Sequence, residues 1–137
     1  MNVVLLDTGP LLAYLNASDQ YHRWAVKQFE AIHEPVLSCE AVWTEVAHLV
    51  QKRGGTTDVL WRLLRNKAVM LSFNLMAERE PVATLMRRYE DLPMSLADAC
   101  LVRMSELNVD CRVLTADSHF AYYRRFGRQV IPVCLPS

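Results

Sequence analysis

The chain has 137 residues and a mass of 15.7 kDa, the length of one ordinary domain and enough to bury a core of its own. Hydrophobic residues at 52% and charged residues at 22% exclude a disordered chain, and a longest apolar run of five residues, Leu11–Leu15, excludes a membrane-spanning helix. Fifteen basic and fifteen acidic side chains cancel, which excludes a strongly basic nucleic-acid coat protein but leaves room for a local basic groove.

In chain order, strands and helices alternate. No basic residue precedes Arg23, and no apolar segment ends in a small-residue cleavage site, so no secretory signal is expected. Val3–Leu6 is a continuous apolar run, as in a strand buried on both faces. Gly9–Pro10 punctuates it, and Pro10 suits the first turn of a helix through about Asn16. Tyr21–Ile32 continues helically, and Pro35–Ser38 is a second strand. Glu40–Lys52 is a clear helix ended by Gly54–Gly55. Asp58–Arg65 reads as helix, Ala68–Leu71 as strand, and Met76–Tyr89 as helix with Pro81 an awkward early break. Ser95–Leu107 is helix, Arg112–Leu114 strand, Ser118–Arg125 a short helix and Val130–Pro132 a last strand. This alternation predicts one α/β domain over residues 1–137 with a mainly parallel sheet. Ligands of such sheets sit at the carboxyl ends of the strands.

The cysteines Cys39, Cys100, Cys111 and Cys134 are too far apart for a CxxC metal or redox pattern. Cys100 lies in the apolar run Ala99–Val102 and reads as a buried structural thiol in a reducing compartment. A cytoplasmic location is expected on that ground.

Four carboxylates stand out by position. Asp7 directly follows the Val3–Leu6 strand, and Asp117 follows Arg112–Leu114 through Thr115 and Ala116. Either aspartate taken alone could simply cap a helix or shape a turn. On the third helix, Val42, Val46, Leu49 and Val50 form an apolar stripe, and Glu45 borders it. An acid there loses hydration unless a cation or donor compensates, and a buried arginine or a helix start would serve equally. Asp98 closes Ser95-Leu-Ala-Asp98, the spacing of a capping box, and is also placed where helix starts attract anionic groups. Together the four suggest one negative pocket, for which Mg²⁺ or Mn²⁺ is the natural partner. His22, His33, His48 and His119 show no paired spacing, which argues against zinc. His119 could touch a substrate beside Asp117 or simply be a solvated helix-start residue.

With these residues in view, the sequence resembles the PIN-domain family, and within it the VapC-type toxins of toxin–antitoxin pairs. The resemblance is carried by Leu5-Leu6-Asp7-Thr8-Gly9-Pro10-Leu11-Leu12-Ala13, by Ser38 with Thr44-Glu45-Val46 and Leu49, by Leu96-Ala97-Asp98-Ala99, and by Leu114-Thr115-Ala116-Asp117-Ser118-His119-Phe120. It implies a three-layer domain with a five-stranded parallel sheet flanked by helices, cleaving RNA with Mg²⁺ or Mn²⁺. It also implies Asp7, Glu45, Asp98 and Asp117 as the acidic quartet, with Thr8 and Thr115 assisting. Asp7 and Asp98 would bind metal directly, Glu45 and Asp117 directly or through water. The ion would orient the scissile phosphate and neutralise its developing charge. Many relatives carry a further acid where this chain has His119, which leaves one metal or two open.

The resemblance implies an RNA substrate and a small antitoxin protein as partners; a homodimer is also expected, and no membrane. Arg62, Arg65, Lys67, Arg87, Arg88, Arg124, Arg125 and Arg128 could flank the pocket for RNA, or be solvated helix faces. Trp43, Trp61, Tyr122 and Tyr123 could stack bases, or serve as core or dimer contacts. Two other functions compete with the ribonuclease: a catalytically weak RNA- or protein-binding module, and another metal-dependent phosphohydrolase or nuclease.

Overall fold

The computed structural model describes residues 2–137. In chain order these form β1 (Val3–Leu6), α1 (Thr8–Leu15), α2 (His22–Ala31), β2 (Val36–Ser38), α3 (Glu40–Lys52), α4 (Asp58–Arg65), β3 (Met70–Leu71), α5 (Arg79–Arg88) and α6 (Leu96–Leu107). There follow β4 (Cys111–Leu114), a single 3₁₀ turn (Ser118–Ala121), β5 (Arg124–Arg125), β6 (Gln129–Val130) and β7 (Val133–Cys134). The main sheet has five parallel strands in the order β3-β2-β1-β4-β7, flanked by six α-helices, which is the α/β fold expected from the pattern.

The continuous apolar run of β1 has its reason in this order. β1 lies at the centre, pairing Val4 and Leu5 with Val36 and Leu37 of β2, and Val3 to Leu6 with Cys111 to Leu114 of β4. All four of its residues are buried. Helix α6 is buried along most of its length, from Ala97 through Val102 and again at Met104 and Ser105, and packs on α3, α5, β1 and β4. A helix enclosed on nearly every side tolerates few polar residues. The buried carboxylate of Asp98 among them is therefore conspicuous.

Three local expectations are corrected. The fifth helix begins at Arg79 rather than Met76, so Pro81 falls in its first turn, where an amide would lack an intrahelical partner anyway. The short helix over 118–125 is only the 3₁₀ turn; Arg124–Arg125 instead pairs antiparallel with Gln129–Val130 in a small hairpin. Phe126 at φ 53° and Gly127 at φ 81° make its turn. The last strand is Val133–Cys134 rather than Val130–Pro132, because it is Val133 and Cys134 that pair with Val113 and Leu114.

The start of α1 comes close to the loop after β4. A Cβ built on Gly9 would lie 3.0 Å from the Cβ of Ala116, so glycine lets the two aspartate-bearing loops meet. Gly9→Ala and Ala116→Gly are therefore expected to be non-additive. Gly9→Ala presses two methyl groups together, and Ala116→Gly removes one of them. Denaturant unfolding of the four variants should show the double variant more stable than the sum of the singles, by about 1 kcal/mol or more. Additive effects would mean that the loops part freely.

Candidate active site

Each aspartate of the quartet is built into local structure before it is available to any ligand. Asp7 caps α1, its Oδ1 accepting from the Thr8 amide at 2.7 Å, while Oδ2 accepts from the Thr115 hydroxyl at 2.7 Å. Its own amide donates to the Leu114 carbonyl at 3.0 Å. Asp98 and Ser95 form the capping box read from the sequence: the Asp98 amide donates to Ser95 Oγ at 3.0 Å and the Ser95 amide to Asp98 Oδ2 at 3.1 Å. The Tyr123 hydroxyl also donates to Asp98 Oδ2, at 3.2 Å. Asp117 caps the 3₁₀ turn through the His119 amide, and its own amide donates to Thr115 Oγ1 at 2.9 Å. Thr115 thus donates to one acid and accepts from the backbone of another while fully buried.

Burial sets the electrostatics. Asp7 is only 6% exposed. Burial pushes its carboxyl up to about 7, against the hydrogen bonds from Thr115 and Thr8, and the charges of Asp98 and Glu45 push the same way. Asp98 is raised by burial first, partly offset by its hydrogen bond with Ser95, and then by the charge of Asp117. Tyr123 is held above the ordinary phenol range by burial and by Asp98. The charges of Asp98 and Glu45 thus bear on Asp7, and that of Asp117 on Asp98.

Glu45 stands differently from the way its helix position suggests. It is exposed rather than desolvated at the core boundary, and no cation pairs with it among the described residues. Its influence is the field it exerts on Asp7. His119 is a half-buried partner of Asp117, its Nδ1 lying 2.7 Å from Oδ1, rather than a free helix-start residue. That pairing leaves Oδ2 as the open oxygen of Asp117.

The donor set suits a hard divalent cation: carboxylate oxygens that destabilise one another's charge, and a buried Thr8 hydroxyl that has no hydrogen-bond partner among the described residues. Among the described residues no three His, Cys, Asp or Glu side chains are disposed to hold a metal ion together. Mg²⁺ needs no such cage, since one or two carboxylates with water and substrate phosphate complete its octahedron.

From sequence, Tyr123 is legible only as an aromatic. It is buried with its ring edge-on to Tyr89 and Phe120, and its hydroxyl needs a partner, which Asp98 supplies. Arg125, among the residues that could flank the pocket, is instead buried and donates to the Ser105 and Val109 carbonyls at 3.0 and 2.9 Å. Arg62, Arg65, Lys67, Arg87 and Arg128 are exposed. Trp43 is core, whereas Trp61 and Tyr122 are exposed.

The family model for the PIN domain matches residues 4–125. Among curated proteins, Ribonuclease VapC26 of Mycobacterium tuberculosis is 28% identical over 127 residues, an alignment covering 90% of this chain and 94% of that protein.

The raised Asp7 carboxyl has a signed consequence for stability. Folding favours protonated Asp7, so its contribution is fully present below the ordinary value of 3.8 and is lost as pH rises through about 7. Asp7→Asn should therefore gain on wild type as pH rises from about 4 to 8 in chelator, by on the order of 4 kcal/mol in denaturant unfolding. A difference that stays flat across that window would mean that Asp7 ionises as readily folded as unfolded.

Proposed function

This chain belongs to the PIN-domain family, and from that premise we propose that it is a divalent-metal-dependent endoribonuclease, the toxin of a toxin–antitoxin pair. The observation that carries the reading is Asp7, whose charge is made costly first by burial and then by Asp98 and Glu45, at the carboxyl ends of β1 and β4. The resemblance to VapC-type toxins across most of the chain supports the substrate and the partner.

Asp7 and Asp98 are the residues to hold the cation directly, with Glu45 and Asp117 acting directly or through water. When bound, Mg²⁺ or Mn²⁺ would supply Lewis-acid neutralisation of charge on the scissile phosphodiester. The chain's own groups do the rest. Thr115 fixes Oδ2 of Asp7, so that carboxylate cannot swing away as charge builds. Ser95 and Tyr123 both engage Oδ2 of Asp98, which leaves Oδ1 for the ligand. Oδ2 of Asp117, with Oδ1 taken by His119, is positioned to accept a proton from an attacking water. The unpartnered Thr8 hydroxyl can donate to a phosphate oxygen. Exposed Arg87 and Arg128 carry charge that RNA phosphates need, and single-stranded RNA presents the splayed bases such a surface can use.

Purified wild type should cut single-stranded RNA in Mg²⁺ or Mn²⁺ and not in chelator. Asp7→Asn and Asp98→Asn should each lower the rate by about 100-fold or more with unchanged circular dichroism. The amide oxygen introduced by Asp98→Asn can still accept from the Ser95 amide, so the helix cap survives that change. Equal cleavage by wild type and Asp7→Asn would assign the activity to a contaminant and overturn the reading. In the host, wild type expressed alone should slow growth, Asp98→Asn should not, and a small neighbouring gene should restore growth.

A further inference from the structure

Along the hairpin of β5 and β6, alternate residues face opposite ways and do different work. Tyr123 and Arg125 are buried and spend their side chains on anchoring. The Tyr123 hydroxyl donates to Asp98 Oδ2 at 3.2 Å, and the Arg125 guanidinium donates to the Ser105 and Val109 carbonyls. Their neighbours turn outward. Tyr122 is 66% exposed, and Arg124 stands opposite Val130 of β6, which is 62% exposed. Residues directly opposite in an antiparallel pair share a face, so Arg124 and Val130 lie side by side on the outer one.

Both neighbouring helices hold this hairpin still. Just past α5 the Tyr89 hydroxyl accepts from the Arg124 amide at 2.9 Å, and Arg88 donates to the Gly127 carbonyl. On α6, Glu106 accepts from the Phe126 amide at 2.7 Å and is itself paired with Arg103 at 3.0 Å. The Tyr122 amide donates to the His119 carbonyl at 2.9 Å, at the close of the turn that Asp117 caps. Tyr122 thus sits on fixed backbone between that turn and the residue bonded to Asp98. Among the described residues, neither a ring partner nor a hydrogen bond occupies its side chain. The charge around it has one sign. Residues 121–130 carry three arginines and no acid. Arg124 uses only Nη1 on protein, toward the Ala121 and Tyr123 carbonyls, so its Nε and Nη2 bond to no protein group among the described residues.

We propose that this outer face seats a nucleotide beside the scissile phosphate of single-stranded RNA, its base stacked on Tyr122 and a neighbouring phosphate held by Arg124. The inference rests on the ribonuclease reading and adds to it the groups that grip the substrate next to Asp98 and Asp117. A ring on anchored backbone loses little freedom when a base settles on it. Every base has a π-face, so the contact sets affinity for RNA and leaves the choice of base to other groups. Arginines without acids favour a phosphate backbone as the occupant.

The test is steady-state cleavage of a mixed-sequence single-stranded RNA in Mg²⁺ by the full-length protein and its variants, each checked by circular dichroism. Tyr122→Ala should raise KM by about 10-fold with kcat within about 2-fold of wild type, and Tyr122→Phe, which keeps the ring, should match wild type. Tyr122→Leu, which keeps bulk without the π-face, should behave as Tyr122→Ala and gives the same reading if the alanine variant folds poorly. An abasic residue stepped along the RNA past the cleaved bond should, at one position, raise the wild-type KM and leave that of Tyr122→Ala unchanged. A purely structural defect would persist at every abasic position and would overturn the proposal. Equal KM for wild type, Tyr122→Ala and Tyr122→Leu, with all three cleaving, would overturn it and leave the ribonuclease reading standing. Unchanged RNA kinetics with lost binding of a neighbouring gene's protein would overturn it in favour of a protein-docking face. No cleavage by wild type would overturn both.

Discussion

A single buried hydroxyl holds the carboxyl ends of the two central strands in register. Thr115 Oγ1 donates to Oδ2 of Asp7 and accepts from the Asp117 amide, so one atom fixes the side chain after β1 and the backbone after β4. A threonine can do this because its hydroxyl is donor and acceptor at once. With full burial, neither bond has water to compete with it. The Gly9–Ala116 approach follows from the same bond, since the loops meet only if Asp7 and Thr115 do. The placement of Asp7 and of the Asp117 backbone is thus set by packing and hydrogen bonds already present in the chain.

The carboxylates are held against their own repulsion. Asp7 and Asp98 are both buried, both raised by burial, and each is further disfavoured by a neighbouring acid. Such an arrangement destabilises the isolated fold and persists where something else draws on it. Each aspartate also caps an element: α1, α6 or the 3₁₀ turn. Capping and ligand binding are therefore not alternatives at these positions. At Asp98 and Asp117 the local bonds fall on one carboxylate oxygen and leave the other open, whereas at Asp7 Thr8 engages one oxygen and Thr115 the other.

That double use explains how far the site can be read from residues alone. Asp7, Asp98 and Asp117 follow or open elements whose apolar runs are strong, so local pattern fixes their positions. Helices α3 and α4 have the bounds their periodicity gives, Glu40–Lys52 and Asp58–Arg65. The exposure of Glu45 is not legible, because its neighbours on the helix say nothing of what covers that face, and the face is open to water. Tyr123 is unreadable as a partner of Asp98, since its hydroxyl is satisfied across 25 residues of chain. An aromatic run with helical spacing masks the hairpin of Arg124–Arg125 and Gln129–Val130. What overrides that spacing is tertiary: Arg125 is anchored on the carbonyls of Ser105 in α6 and Val109 just beyond it.

The strand β7 gives the pocket an order in time. Its Cys134 carbonyl accepts from the Thr115 amide at 3.2 Å, and Pro132 accepts from Val113 at 2.8 Å. Without β7, β4 would be the sheet's edge and Thr115 would lack one of its anchors. Thr115 is made 108 positions after Asp7, and the strand that steadies it comes later still. Pairings this distant cost loop-closure entropy before they reward it. During vectorial synthesis the acids accordingly emerge one by one on unjoined segments. Joining Asp7 to Thr115 thus closes a loop of 108 positions, a long-range contact of the kind that slows folding.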